Sequence, residues 1–288
     1  MARPVALAAA IVMLVAVGCA SSGPGSGPAP SRASAGRVPA PAHTIVVVME
    51  NHAYSEVIGS SAAPFLNQLA REGAVFTHSY AITHPSEPNY LALFSGSTHG
   101  VTDDNCPVEL TAPNLAAELI AAGKTFTGYS EDLPSVGSAV CSAGEYARKH
   151  VPWADFRNVP GSVNLPFASF PATEFGRLPA VSFVIPNLCH DMHDCSVATG
   201  DAWLRAHLSD YASWAMAHDS LLIITWDEDD GSQSNQIPTI FAGQQVRPGR
   251  YAERITHYSV LATLEAAYGL PRDGEAANAT PITDIWRS

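Results

Sequence analysis

Positive charge is scarce in this chain: 15 Lys and Arg stand against 27 Asp and Glu in 288 residues, for a net charge of −12. Nucleic-acid and anionic-membrane surfaces rely on clustered Lys and Arg, so the balance argues against both as partners. An anionic substrate would need local help. Charged residues make up only 15% and hydrophobic ones 47%, enough for one large domain with a sizeable core or two small ones. A membrane-spanning run is missing too. The apolar stretch at residues 5–17, after Arg3, is short for a span but fits the core of a signal peptide. The chain has no G-x-S-x-G, which disfavours an acyl-hydrolase elbow, and no C-x-x-C, which weakens a zinc reading of its cysteines.

Residues 1–19 therefore predict export. They end in AVGC, which resembles a lipoprotein signal with Cys19 as the lipidated residue; ordinary secretion is the alternative. Residues 20–42 are rich in Gly, Ser, Pro and Ala and read as a flexible tether with no role in the fold. No internal repeat follows, and residues 43–288 read as one domain. Cys106, Cys141, Cys189 and Cys195 remain, an even number that favours disulfides in an exported chain and permits three pairings. The C-x5-C spacing predicts a local Cys189–Cys195 clip, leaving Cys106 with Cys141. In the loop-entropy view these contribute about 2 and about 4 kcal/mol.

HTIVVVMEN opens the domain with five consecutive apolar residues, 45–49, the pattern of a strand buried on both faces. Pro64 starts a helix that Gly73 stops, and Asn114 caps another that ends at Gly123. FTGYS, VSFVIPN, SLLIITWDED and IPTIFAG read as strands, and GDAWLRAHLSDYASWAMAH and HYSVLATLEAAYG as helices. This alternation predicts an α/β sandwich with a mainly parallel sheet. Ligands in such folds bind beyond the carboxyl ends of the strands. That rule singles out Glu50 and Asn51, residues 187–194, and residues 227–230.

Glu50-Asn51 and Asp227-Glu228 each end a very apolar strand, so each places oxygen ligands at one rim. Hard oxygen donors gathered there ask for a divalent cation: Mg, Ca or Mn, and Zn or Fe less exclusively. The plainer reading of WDEDDG is an acidic solvated turn. In THPSEPNYLALFSG, Ser86 lies between prolines at a helix entrance. It can be an activated nucleophile if a metal lowers its pKa, or part of a rigid loop. Asn89 can donate to a phosphoryl oxygen or cap that helix. HDMHD at 190–194 offers His193 as a proton donor or phosphate ligand, with Asp194 orienting it. His257 is an active-site group or an ordinary helix-start residue. Arg148-Lys149-His150 is a phosphate-binding lip or a solvated loop.

Together MEN, THPSEPNYLALFSG, CSAGEYARKHVPW, CHDMHD, GDAWL, WDEDDG and ITHYSVLATLE resemble the phosphoesterase family that joins secreted acid phosphatases to bacterial phospholipases C. Within it they are most similar to bacterial acid phosphatases acting on phosphatidylinositol 3-phosphate. The resemblance runs from about residue 43 to residue 286. It implies an alkaline-phosphatase-like three-layer sandwich and a cation held by Glu50, Asn51, Asp227 and Glu228. It also implies Ser86 as the attacking oxygen, sharing that cation, with His193 and Asp194 nearby, and it matches the Cys106–Cys141 pair. The expected activity is hydrolysis of phosphomonoesters, with phosphoinositides among them, through a phosphoserine intermediate. A phospholipase C-like phosphodiesterase and a non-catalytic ligand-binding lipoprotein are the alternatives. No nucleic-acid partner is expected, and membrane contact only through a lipid anchor.

Overall fold

The computed structural model describes residues 1–2 and 37–287. Apart from its first two residues, the expected signal sequence, its Cys19 and most of the tether lie outside the described residues. The elements are β1 (His43–Met49), α1 (Tyr54–Val57), α2 (Pro64–Glu72), β2 (Ala74–Tyr80), α3 (Ser86–Ser95), α4 (Leu115–Ala121), β3 (Phe126–Ser130), β4 (Ser142–Ala143), β5 (Tyr146–Ala147), β6 (Asn164–Pro166), β7 (Val181–Ile185), α5 (Val197–Ala217), β8 (Ser220–Trp226), β9 (Thr239–Gly243), β10 (Gly249–Thr256) and α6 (His257–Tyr268). Eight strands form one sheet in the order β10-β2-β9-β8-β1-β7-β3-β6. All run parallel except β9, which is antiparallel to both neighbours. β4 and β5 form a separate small ribbon.

The apolar run of β1 follows from its central place between β7 and β8. Val46 and Val48 face a core shared with α3, α4 and α6, whereas Ile45, Val47 and Met49 face one shared with α2 and α5. A strand buried on both faces cannot alternate apolar with polar. The result is the three-layer arrangement expected of the sequence.

Local signals set most helix ends. Pro64 opens α2, and its free backbone N–H groups at Phe65 and Leu66 donate to the distant Asp201 carboxylate at 3.1 and 2.8 Å. Asn114 caps α4 by accepting from Ala117 N–H. α5 begins earlier than GDAWL implied, because Ser196 accepts from Thr199 N–H and acts as its cap. α3 is buried along its whole length. It ends at Gly96 with φ 70°, where a Cβ would lie 2.1 Å from the Asp273 carbonyl oxygen, so only glycine fits that junction.

Two expectations need correction. β2, β6, β10 and the small β4–β5 ribbon lie outside the strands that the sequence pattern marks, although β2 and β10 pair along most of their length. And residues 37–42 are not all tether: Val38 is buried in the core, and Ala42 N–H donates to the Asp219 carbonyl at 2.7 Å. Packing therefore begins before His43. Both cysteine pairs are bonded as expected, Cys106 to Cys141 and Cys189 to Cys195.

Candidate active site

β1 and β8 end side by side, with Met49 paired to Trp226, so Glu50 and Asp227 leave the sheet together. The Asp227 N–H donates to the Met49 carbonyl at 2.9 Å. Asn51 turns away with φ 52°, a left-handed conformation that asparagine tolerates, and its N–H donates to Asp227 Oδ1 at 3.2 Å. Ser86 enters from α3. Its hydroxyl lies 3.1 Å from Glu50 Oε2 and 3.3 Å from Glu228 Oε1, within donor reach of each. The structure thus brings Glu50, Ser86, Asp227 and Glu228 into one buried cluster.

WDEDDG splits by role. Asp227 and Glu228 face Ser86, whereas Asp229 accepts from the N–H groups of Gly231, Gln233 and Asn235 and so shapes the turn. Asp230 is exposed. Asn51, His84, Glu228, Asp229, Asp230 and Gly231 line an open cavity of 390 Å³ at the mouth.

Burial raises the carboxyls of Glu50 and Asp227 well out of their usual range and that of Glu228 upward; the neighbouring Asp227 adds to this at Glu50, and Glu228 adds to it at Asp227. Asp227 Oδ2 has no protein partner. Acids crowded at low dielectric with a lone pair left over are the donor set a hard divalent cation fits, since its charge removes their repulsion.

A second group shares Glu50. Glu50 Oε1 accepts from Tyr90 Oη at 2.5 Å and lies 3.1 Å from His150 Nε2, while His150 Nδ1 lies 3.2 Å from Asp191 Oδ2. The His150 ring stacks on Tyr90. Burial, and the nearby Lys149, hold His150 well below the usual histidine range. Burial pushes Asp191 up to about 8. Glu50, His150 and His193 place ligand atoms within 4.8 Å of one another, close enough for all three to hold one metal ion. His193 Nδ1 is 2.7 Å from Asp194 Oδ1. The Lys149 ammonium is 2.9 Å from Asp104 and 3.4 Å from His193 Nε2.

Two sequence-picked residues sit differently from their expected use. Asn89 neither faces an open site nor caps α3. Its Oδ1 accepts from Ile82 and Thr83 N–H, and its Nδ2 donates to the Thr83 and Pro85 carbonyls. It braces the loop that presents Ser86, with only a 3.4 Å contact to Glu228. His257 is buried beneath the cluster and donates from Nε2 to the Asp227 carbonyl at 2.7 Å, and burial lowers it to about 4.

The sequence does not single out His84, Tyr90 or Asp104, and it offers His150 only as part of a phosphate-binding lip and Asp191 only within the 187–194 segment. His84 Nδ1 lies 2.7 Å from Glu228. The RKH segment is no solvated loop: Arg148 is buried, pairs with Asp155, and donates to the Val108, Ala139 and Ala154 carbonyls. That anchor turns Lys149 and His150 toward Glu50. The RKH cluster itself was the visible signal; its orientation was not.

Comparisons with known proteins address the family and the fold. The Phosphoesterase family model matches residues 60–271. The chain is 59% identical over 255 residues to a phosphatidylinositol-3-phosphatase of Mycobacterium tuberculosis, covering 88% of this chain and 85% of that protein. It is 32% identical to an acid phosphatase of Aspergillus fumigatus, covering 79% of this chain but only 55% of that longer protein. Among solved structures, a Vibrio parahaemolyticus protein of the alkaline phosphatase superfamily superposes with TM-score 0.54 at 14% identity, over 85% of this chain and 72% of that one. A lipoteichoic acid synthase of Listeria monocytogenes gives 0.62 at 10% identity, over 89% and 79%. At such identities these two show the fold alone, an alkaline-phosphatase-like α/β sandwich. The family match and the 59% identity go further: the chain belongs to the Phosphoesterase family.

Proposed function

We propose that this chain is a cation-dependent phosphoric monoester hydrolase with Ser86 as its nucleophile, and that phosphoinositides such as phosphatidylinositol 3-phosphate are among its substrates. The observation that carries the reading is the Ser86 hydroxyl poised between Glu50 and Glu228 at 3.1 and 3.3 Å. The relative named for phosphatidylinositol 3-phosphate supports the substrate class. Export, with Cys19 as lipid attachment point, belongs to the same reading and rests on residues 1–19.

Each group has a defined task. Glu50 and Glu228 orient Ser86 Oγ, at the first turn of α3 where the positive end of the helix favours an approaching anion. A divalent cation held by Glu50, Asp227 and Glu228, with Asn51 beside them, would lower the pKa of the serine hydroxyl and offset charge on the phosphoryl oxygens. Lys149 is the cationic side chain beside His193 and supplies positive charge to the phosphoryl group. His193, oriented by Asp194, gives a proton to the leaving oxygen. Attack forms the Ser86 O–P bond as the hydroxyl proton passes to Glu50 or Glu228 and the ester P–O bond breaks. Water then attacks phosphorus, breaks the Ser86 O–P bond and releases phosphate.

The test is phosphate release from p-nitrophenyl phosphate and from phosphatidylinositol 3-phosphate by the purified chain, with and without added divalent cation. Release of choline phosphate from phosphatidylcholine is followed in parallel. Cation-dependent monoester hydrolysis that Ser86→Ala abolishes supports the reading. Normal turnover by Ser86→Ala, or a preference for the diester, would overturn it.

A further inference from the structure

α3 begins without a cap of its own. Its N-cap is Pro85, whose ring carries no acceptor, and Pro88 in the first turn has no N–H to give. The Glu87 N–H, next to the nucleophile, is one of the donors that a helix start leaves over. It donates to Asp104 Oδ1 at 2.9 Å, from a segment 17 residues further on. A distant aspartate thus does at α3 what a capping side chain does at other helix starts.

The second oxygen of the same carboxylate is also taken. Lys149 Nζ donates to Asp104 Oδ2 at 2.9 Å and stands 3.4 Å from His193 Nε2. One carboxylate therefore joins the backbone beside Ser86 to the ammonium that serves the phosphoryl group. Asp104 is itself tied down. Cys106, just after it, is bonded to Cys141, and Arg148 donates to the Ala139 and Val108 carbonyls on the two arms of that loop. The Lys149 and Asp104 side chains stay 20% and 27% exposed, so the pair borders solvent.

Charge alone does not account for this pair. A carboxylate beside an ammonium weakens the field that draws an anion. The pairing helps only if the place of the ammonium matters more than its full charge. A free lysine spreads over many rotamers, and phosphoryl transfer depends on alignment.

We propose that Asp104 is a positioning residue that fixes the separation between the Ser86 nucleophile and the Lys149 ammonium. The inference rests on the phosphomonoesterase reading and adds the device that sets the geometry of that site. Asp104 acts through Ser86 and Lys149, not on the substrate.

The test is a mutant cycle on the full chain with divalent cation added: Asp104→Asn, Lys149→Met and the double variant. Turnover of p-nitrophenyl phosphate and calorimetric titration with inorganic phosphate are measured for each. Asparagine keeps an acceptor for the Glu87 N–H and loses the charge that holds Lys149. On charge alone, Asp104→Asn would tighten phosphate binding. Positioning requires the opposite: binding about tenfold weaker and kcat/KM about tenfold lower. In the Lys149→Met background Asp104→Asn should change either quantity by less than about twofold, because the lysine through which it acts is gone. A merely structural role would give the same loss with or without Lys149, and that result overturns the proposal. So does phosphate binding that tightens or stays unchanged in Asp104→Asn. A chain that binds phosphate in the expected pattern but hydrolyses nothing would sink the phosphatase reading and keep Asp104 as the residue that places Lys149. Full ester hydrolysis by Asp104→Asn would do the reverse.

Discussion

The candidate site has two halves that meet at Glu50, and they are built differently. Glu50, Asp227 and Glu228 stand at the ends of β1 and β8, central strands buried along almost their whole length. Lys149, His150, Asp191 and His193 stand on connecting segments, and what fixes them is covalent and ionic. The Cys106–Cys141 bond and the buried Arg148 hold the segment before His150, and the Cys189–Cys195 bond closes the loop that carries Asp191 and His193. Strand ends hold charge in register because the core behind them cannot shift. Loops reach the same precision only when tied.

The sharpest way to break this comparison is at the strand half. Ser86→Ala should lower p-nitrophenyl phosphate turnover about a thousandfold or more with an unchanged circular dichroism spectrum, since losing a nucleophile removes the whole catalytic route. Asp227→Asn should cost nearly as much and also weaken cation binding, read by titration calorimetry with Mg or Mn. In the loop half, His193→Asn should lower turnover about a hundredfold, the scale of a proton donor. A loss as large as that of Ser86→Ala would erase the distinction between the halves.

Much of the strand half was legible in the sequence. Apolar runs at β1 and β8, and at β7 with only Ser182 interrupting, mark strands buried on both faces, and acids just beyond β1 and β8 mark one rim. The edge was not: β10, GRYAERIT, carries three charged residues because one side of it has no partner strand among the described residues, and β2, AVFTHSY, turns polar toward its end. His150 and Asp191 were visible only as members of the RKH cluster and the 187–194 segment, not as partners of Glu50. Their approach to it depends on loop paths tied by the disulfides and by Arg148, contacts between residues distant in sequence that no local pattern records. Asn89 shows the reverse case, a polar residue beside the nucleophile whose amide is consumed by its own loop.

Reduction tests that dependence directly. Dithiothreitol should lower the melting temperature through loss of about 4 kcal/mol from the Cys106–Cys141 loop and about 2 from the Cys189–Cys195 loop. Hydrogen exchange should rise first in residues 104–110, 139–150 and 187–195, before the central strands. Simultaneous exchange in β1 and β8 would show that the halves are a single cooperative unit.

The smallest expected effect lies away from both halves and serves as a control on pH profiles. Burial raises Glu265 to about 7 and Asp273 to about 6. Both favour the protonated form when folded, so they do not oppose folding below their unfolded pKa values and become destabilising as pH rises through 6 and 7. Glu265→Gln should therefore flatten the fall of the urea midpoint between about pH 4 and 7, while leaving the pH profile of turnover unchanged. A shifted activity profile would tie this remote pair to the site.

The enclosure of α3 on every side, closed off at Gly96 against Asp273, has a mechanical meaning. The oxygen at its head is an anvil bolted to the frame, unable to swing toward what it strikes, so the incoming phosphoester must do all the aligning. Diversification among such proteins would then be confined to whatever hands the workpiece in, the rim and its pockets, with the anvil left where the fold cast it.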